Sequence, residues 1–349
     1  MKIKTTELRD AFRICDNVPI NLVLDSSTNV RLKQADSKLT LSMTGILGCD
    51  VTVNGVSQGG KWTAFVERDI FKRFLSTAAE DEIELFHKDK LVLKSGQRLE
   101  LALPAAISGY GSWNFKVGAV YSEDILRFLK TAVRYIPVQS GTEKIQAVAF
   151  NKEALIVTDS ARIMCLIGHQ TNEYMLPPEI IKVITTIDDA KVSVEKTGIG
   201  VTLNNGCVFQ SFSDELKNFP QDKLLAHIKE ADKAPEKFTF NCTEFLEHLK
   251  VAGQFLKDKS DPVVIEEKDK TLTMTVVTAS GKFQRTMKLL SSSNTPDKYS
   301  INAEKVLPWI QYISSIKDNA KVIFSRINKA SVFKFVTKTH RNMLLTVDF

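Results

Sequence analysis

One pattern of residues occurs three times along this chain, at a spacing too long for a solenoid of small repeats. "TTELRDAF" starts at Thr5, "YSEDILRFL" at Tyr121 and "CTEFLEHL" at Cys242. In each, Ser or Thr precedes Glu and then an amphipathic run. Thr6, Ser122 and Thr243 are the expected N-caps, because a hydroxyl there accepts from an exposed helical N–H. Glu7, Glu123 and Glu244 suit the positive end of the helix dipole. The caps lie 116 and 121 residues apart.

A second set of helices repeats as well. "VERDIFKRFL" (66–75), "LPPEIIKVIT" (176–185) and "INAEKVLPWI" (301–310) each follow a short strand and precede alternating apolar and polar residues. Such alternation, broken by "KDK", "TG" or "NG", reads as antiparallel hairpins. Each third therefore reads as helix, strands, helix, more strands. The stretches 105–114 and 229–237, rich in Gly, Pro and charge, read as linkers. The expected fold class is α+β: three tandem domains, 1–115, 116–231 and 232–349, each with two helices packed on antiparallel sheets. Three full-sized copies point to a symmetric or ring-like object.

Composition sets outer limits. The chain has 349 residues, 43% of them hydrophobic and 25% charged, enough for two or three cored domains. No apolar run is long enough to span a membrane. "MKIKTTELRDAF" lacks the apolar segment of a signal peptide, so a cytoplasmic protein is expected. Five dispersed cysteines with no CxxC imply neither a disulfide frame nor a zinc site. The net charge of +6 permits nucleic-acid binding without arguing for it. The excess lies in residues 232–349, with 19 basic and 13 acidic side chains.

The basic residues are placed on one side of the first helix of each third. In steps of ~100° per residue, Ile125, Leu129, Ala132 and Ile136 share a narrow arc, with Arg127, Lys130 and Arg134 opposite. Leu8, Ala11, Phe12 and Cys15 form the apolar stripe of the first copy, with Arg9 and Arg13 across from it. In the third, Phe245, Leu249, Ala252 and Leu256 pack, and Lys250 and Lys257 point away. A charged stripe is ordinarily a solvated face; three aligned stripes also suit a phosphate backbone followed without reading bases.

No catalytic or metal site is expected, and no cofactor. "GVSQGGKW" (55–62) fits the first seven positions of a phosphate loop, but Trp62 stands where Ser or Thr should hold magnesium, and strand-like "WTAFV" follows where a helix should begin. No G-x-S-x-G or H-E-x-x-H occurs, and the five histidines are scattered. Asp188–Asp189 sit beside a turn. "NCT" (241–243) fits a glycosylation acceptor, yet nothing suggests secretion.

Four stretches together resemble the bacterial-type DNA sliding clamp, the beta processivity subunit of replicative polymerase. "KLVLKSGQRLELALPAA" (90–106) is similar to the end of that family's first domain. "VTDSARIMCL" followed by "MLPPEIIKVI" is similar to its second domain, where T-D-G-H-R-L precedes V-P-x-x-x-x-x-L. "FSDELKNFPQDKLL" (212–225) resembles the stretch closing that domain, and "NMLLTVDF" ends the chain as family members end. The likeness rests on order, spacing and threefold repetition over the whole chain.

The resemblance implies a ring-forming, head-to-tail homodimer that encircles double-stranded DNA and tethers polymerase and clamp loader, with no enzymatic activity of its own. The cation stripes would face the hole. Gln139 falls on a glutamine of a DNA-touching loop; the matching loop in the first third, "VPINL" (18–22), lacks the expected arginine. Ring closure would bring Leu99 and Leu101 to Phe255 and Leu256 of the other subunit, although all four also suit the core of their own domains. Partners would dock as short peptides in an apolar groove at Ile145, Thr158, Ser160, Arg162, Ile163, Pro220, Leu224, Leu225, Met343, Leu345, Thr346 and Val347. Read locally, Thr158–Arg162 is only a turn between strands. Under the resemblance, Ser160 and Ala161 leave room for a partner's side chain, and Arg162 lays its stem along one wall with its head in water. Ser160-Ala161 replaces the family's Gly-His, and Leu345-Thr346-Val347 its Met-Pro-Met, which fits a divergent or virus-encoded member. The alternative is a clamp-fold interaction scaffold that no longer closes around DNA.

Overall fold

The computed structural model describes residues 1–18, 25–45, 47–57, 60–102, 118–136, 147–159, 161–169, 172–187, 189–195, 198–203, 208–211, 219–258, 261–279, 281–293, 297–317, 319–339 and 341–347. Its helices are α1 (Thr5–Cys15), the single turn α2 (Asp25–Thr28), α3 (Arg68–Thr77), α4 (Glu123–Ala132), α5 (Pro178–Thr186), α6 (Gln221–Lys233), α7 (Cys242–Gln254) and α8 (Ala303–Ile316). A 3-10 turn, Val133–Tyr135, continues α4. Among the described residues all sheet pairings are antiparallel, and α3, α5 and α8 each lead into three strands, as the repeated pattern requires.

The predicted apolar stripes are the buried ones. Leu8, Ala11, Phe12 and Cys15 of α1 are buried, as are Ile125, Leu129 and Ala132 of α4 and Phe245, Leu249 and Ala252 of α7. Ser122 stands directly before α4 as expected, whereas the first and third caps differ from expectation. Cys242 already begins α7, and Asn241 Oδ1 accepts from the N–H groups of Thr243 and Glu244 at 2.9 and 3.2 Å. Asn is as good an N-cap as Thr, and here it lies closer to the helix start. The acceptor-like Asn241 is thus spent on its helix. Asn302 caps α8 in the same way, accepting from Lys305 N–H at 3.0 Å. α1 begins two residues early, with Lys4 rather than Thr6 at its cap, and Thr5 Oγ1 donates to the Glu80 carbonyl at 2.6 Å.

The chain forms two compact units, Met1–Ser122 with Glu179–Ser213, and Glu123–Pro178 with Asp214–Phe349. The first holds a four-stranded sheet, in the order Lys2–Lys4, Glu82–His87, Lys90–Ser95, Gln97–Ala102, and an eight-stranded one. The larger sheet joins sequence-distant strands: Val208–Ser211 pairs with Gly48–Asn54, with Phe209 opposite Cys49. The second unit holds a four-stranded sheet ending in Gly281–Lys288 and a nine-stranded one. There Arg162–Ile167 pairs with Arg341–Val347, placing Ile163 beside Leu345 and Cys165 beside Met343. The helix of the middle repeat, α4, thus belongs with the last third, and α5 with the first.

Helix α6 corrects the linker reading of 229–237, because the chain stays helical through Lys233. Its charges cover a solvent face while Leu224, Ile228 and Ala231 are buried. The other expected linker, 105–114, lies outside the described residues. Trp62–Glu67 is a strand, so no helix follows the phosphate-loop-like stretch. Cys15, Cys49, Cys165 and Cys242 are buried thiols that form no disulfide among the described residues; Cys207 is outside the described residues. Among the described residues no helix is long and apolar enough to cross a membrane, and no group of acids, histidines and cysteines is placed to hold a metal.

Candidate functional site

Within the second unit, the ends of five neighbouring strands and one face of α6 border a cavity of about 500 Å³. The strands supply Thr158 and Ile163, then Leu345 and Thr346, then Ala330 and Ile327; α6 and its leading turn supply Pro220 and Leu224. Strand alternation sends Ile163 and Leu345 to the face that α6 covers. Beneath them runs one continuous hydrophobic cluster that includes Met343, Val332, Ile228 and Cys165, with Leu225, Ile163 and Ile327 packed against it. Burial pushes the Cys165 thiol well above its usual range, so it stays protonated.

"VTDSARIM" forms the tip of this wall. Thr158 pairs with Ile163 across the hairpin. Asp159 Oδ1 accepts from the Ala161 N–H at 3.1 Å, an Asx turn, and Thr158 Oγ1 donates to the Arg162 carbonyl at 2.6 Å. The expectation of a solvated Arg162 head is corrected. Its side chain is only 15% exposed, pairs with Asp159, and carries its guanidinium carbon 4.5 Å from the centre of the Tyr135 ring. An acid three residues away and an aromatic face together outbid water for a planar guanidinium. Tyr135 donates in turn to the Lys305 carbonyl at 3.1 Å, and burial raises its hydroxyl pKa above the ordinary phenol range.

Helix α6 is fixed onto the sheet at three points. Asn151 Nδ2 donates to Gln221 Oε1 at 2.8 Å near its start, and Lys229 pairs with Glu153 at 2.8 Å midway. At its end the buried Lys334 ammonium donates to the Asp232 and Ala234 carbonyls at 3.1 and 2.9 Å, and Arg341 pairs with Asp232. Cations at a helix C-terminus complement its dipole. Burial lowers the Lys334 pKa.

Of the expected groove residues, the structure brings Thr158, Arg162, Ile163, Pro220, Leu224, Leu345 and Thr346 to one cavity. Met343 and Leu225 lie in or against the cluster beneath it. Ile145 and Ser160 are outside the described residues, as is the Val347 side chain. Sequence reasoning missed Lys223, His227, Glu230, Ile327 and Lys329, which also line it. The heptad-like run 221–233 was the available signal for the first three.

The expected cation positions are exposed or half-exposed, but several are engaged. Arg9 donates to the Leu75 and Ala78 carbonyls at 2.7 and 2.5 Å, closing the end of α3. Arg13 lies 3.4 Å from Asp10, Arg127 pairs with Glu123, and Arg134 donates to Gln311 at 3.4 Å. Lys130, Lys250 and Lys257 are exposed. Gln139 and residues 19–22 are outside the described residues. Leu99 and Leu101 are half-buried on Gln97–Ala102, the edge of its sheet. Phe255 is 47% exposed and stacks on Phe283 of the edge strand Gly281–Lys288, with ring centres 4.3 Å apart; Leu256 is half-buried.

These two units have the fold of the bacterial DNA polymerase β clamp. The beta clamp of Helicobacter pylori matches with a TM-score of 0.78 at 14% identity, over 100% of this chain and 99% of its own. The DNA polymerase III subunit beta of Pseudomonas aeruginosa matches at 0.81 and 13%, with the same coverage. The polymerase beta subunit of Streptococcus pyogenes matches at 0.80 and 15%, again over 100% and 99%. No protein-family model matches the sequence, and no curated protein matches it significantly.

Proposed function

We propose that this chain is a DNA sliding clamp: a non-enzymatic, cytoplasmic processivity factor whose homodimer closes around duplex DNA. The observation that carries this reading is the β-clamp fold over the full length of the chain. In it, residues 1–115, 116–231 and 232–349 are three clamp domains. Cations of α1, α4 and α7 and of the turn that follows α7, foremost Lys130, Lys250 and Lys257, track phosphates without reading bases. The cavity beneath Thr158–Ile163 takes apolar anchors from extended segments of polymerase and clamp loader, since a preformed apolar pocket concentrates binding energy in a few side chains.

Encirclement is a topological claim, and topology tests it. Loaded protein is retained on a nicked circular duplex and lost within the experiment when the circle is cut once. Equal retention on circle and linear duplex refutes encirclement and leaves the clamp-fold scaffold.

A further inference from the structure

The charges around the groove are unevenly placed. Lys223, His227 and Glu230 line it from α6, and all three are exposed. Steps of four and three residues set them on one helical stripe, and seven residues of rise separate Lys223 from Glu230 by about 10 Å. Lys329 lines the cavity from the turn between Lys321–Ile327 and Ala330–Val336, where Asn328 holds a φ of 51°. Other cations nearby are already neutralised: Arg162 by Asp159, and Lys229 by Glu153. Among the described residues, neither Lys223 nor Lys329 pairs with an acid. Among the described residues, the apolar floor is therefore bordered by two ammonium groups without an acid partner and by one lining carboxylate, Glu230, two turns along α6 from Lys223.

We propose that the groove selects peptides whose apolar anchors are flanked by carboxylates, which Lys223 and Lys329 hold while Glu230 repels the same charge at its own end. This rests on the reading of the cavity as a partner-peptide groove. The floor supplies affinity without discrimination, because Ile163, Leu224 and Leu345 accept any aliphatic side chain of fitting size. The rim supplies the difference between partners, through attraction at one end and repulsion at the other. Both lysines are exposed, so each pairing is weak and screened by salt. Selection is accordingly a matter of several-fold preference, largest at low ionic strength.

The test is fluorescence anisotropy of three labelled peptides on the full chain: Asp-Asp-Leu-Ala-Leu, Asn-Asn-Leu-Ala-Leu and Asp-Asp-Ser-Ala-Ser. The acidic leucine peptide binds about fivefold more tightly than its amide counterpart at low salt, and the margin shrinks as salt rises. The double variant Lys223→Glu with Lys329→Glu reverses the ratio, and Glu230→Lys widens it. Equal affinity for the acidic and amide leucine peptides overturns the charge selection and leaves the groove standing. Failure of both leucine peptides to bind, or binding of the serine peptide as tightly as the acidic leucine one, overturns the groove and the selection together.

Discussion

Asp159 carries more of the groove's geometry than its place in a turn indicates. One oxygen holds the Ala161 N–H and the other receives the Arg162 guanidinium, which is thereby set over Tyr135. Both charged side chains are 15% exposed, so each depends on the other for what water would otherwise supply. Asp159→Ala leaves Arg162 buried without its acid and destabilises the protein by about 1–3 kcal/mol. Adding Arg162→Met to it restores part of that loss, because the stranded charge is gone. Thermal unfolding of the two single variants and the double variant closes the cycle; simple additivity refutes the coupling. The turn itself was legible in "TDSAR", as a polar break between apolar runs. The burial of Arg162 was not, because Tyr135 lies 27 positions away and nothing in the local pattern brings it near.

Helices with one clean apolar stripe could be read directly, and α1, α4 and α7 bury the residues their spacing selects, except that α7 ends at Gln254 and leaves the expected Leu256 beyond it, half-buried. Helix α6 could not, because its last turns, "HIKEADK", are mostly charged and run into "APEK", the composition of a linker. What holds those turns is tertiary: Lys334 and Arg341 reach them from strands about a hundred positions later. Lys334→Met keeps the stem and removes the donors, leaving the Asp232 and Ala234 carbonyls short of a partner in a semi-buried place. A loss of about 1–3 kcal/mol is expected, together with faster amide exchange confined to α6 and its leading turn. Because α6 forms one wall of the groove, affinity for apolar peptides falls too. Unchanged exchange in α6 shows that the helix does not depend on this cap.

At the scale of the whole molecule, two sheet edges remain to be accounted for. Gln97–Ala102 ends the small sheet of one unit and Gly281–Lys288 ends that of the other. An open edge invites another strand unless it is blunted, and each carries exposed charge: Arg98 and Glu100 on the first, Lys282 and Arg285 on the second. Beside the second edge sit the stacked rings of Phe255 and Phe283, with Phe255 47% exposed. That is an apolar contact ready to be covered next to a ladder ready to be extended. The proposed head-to-tail dimer meets both needs at once, joining these two unlike edges twice to close a ring. Apart from the resemblance, nothing in the residue pattern points to such a pairing, since Leu99, Leu101 and Leu256 are half-buried in their own units and look like ordinary core. Light scattering therefore gives twice the 39.1 kDa subunit mass. Phe255→Asp, which puts a carboxylate into that contact, shifts the mass to the monomer and abolishes retention on circular duplex while the subunit keeps its unfolding temperature within a few degrees. A wild-type monomer, or a Phe255→Asp protein that still runs as a dimer, removes this edge from the interface.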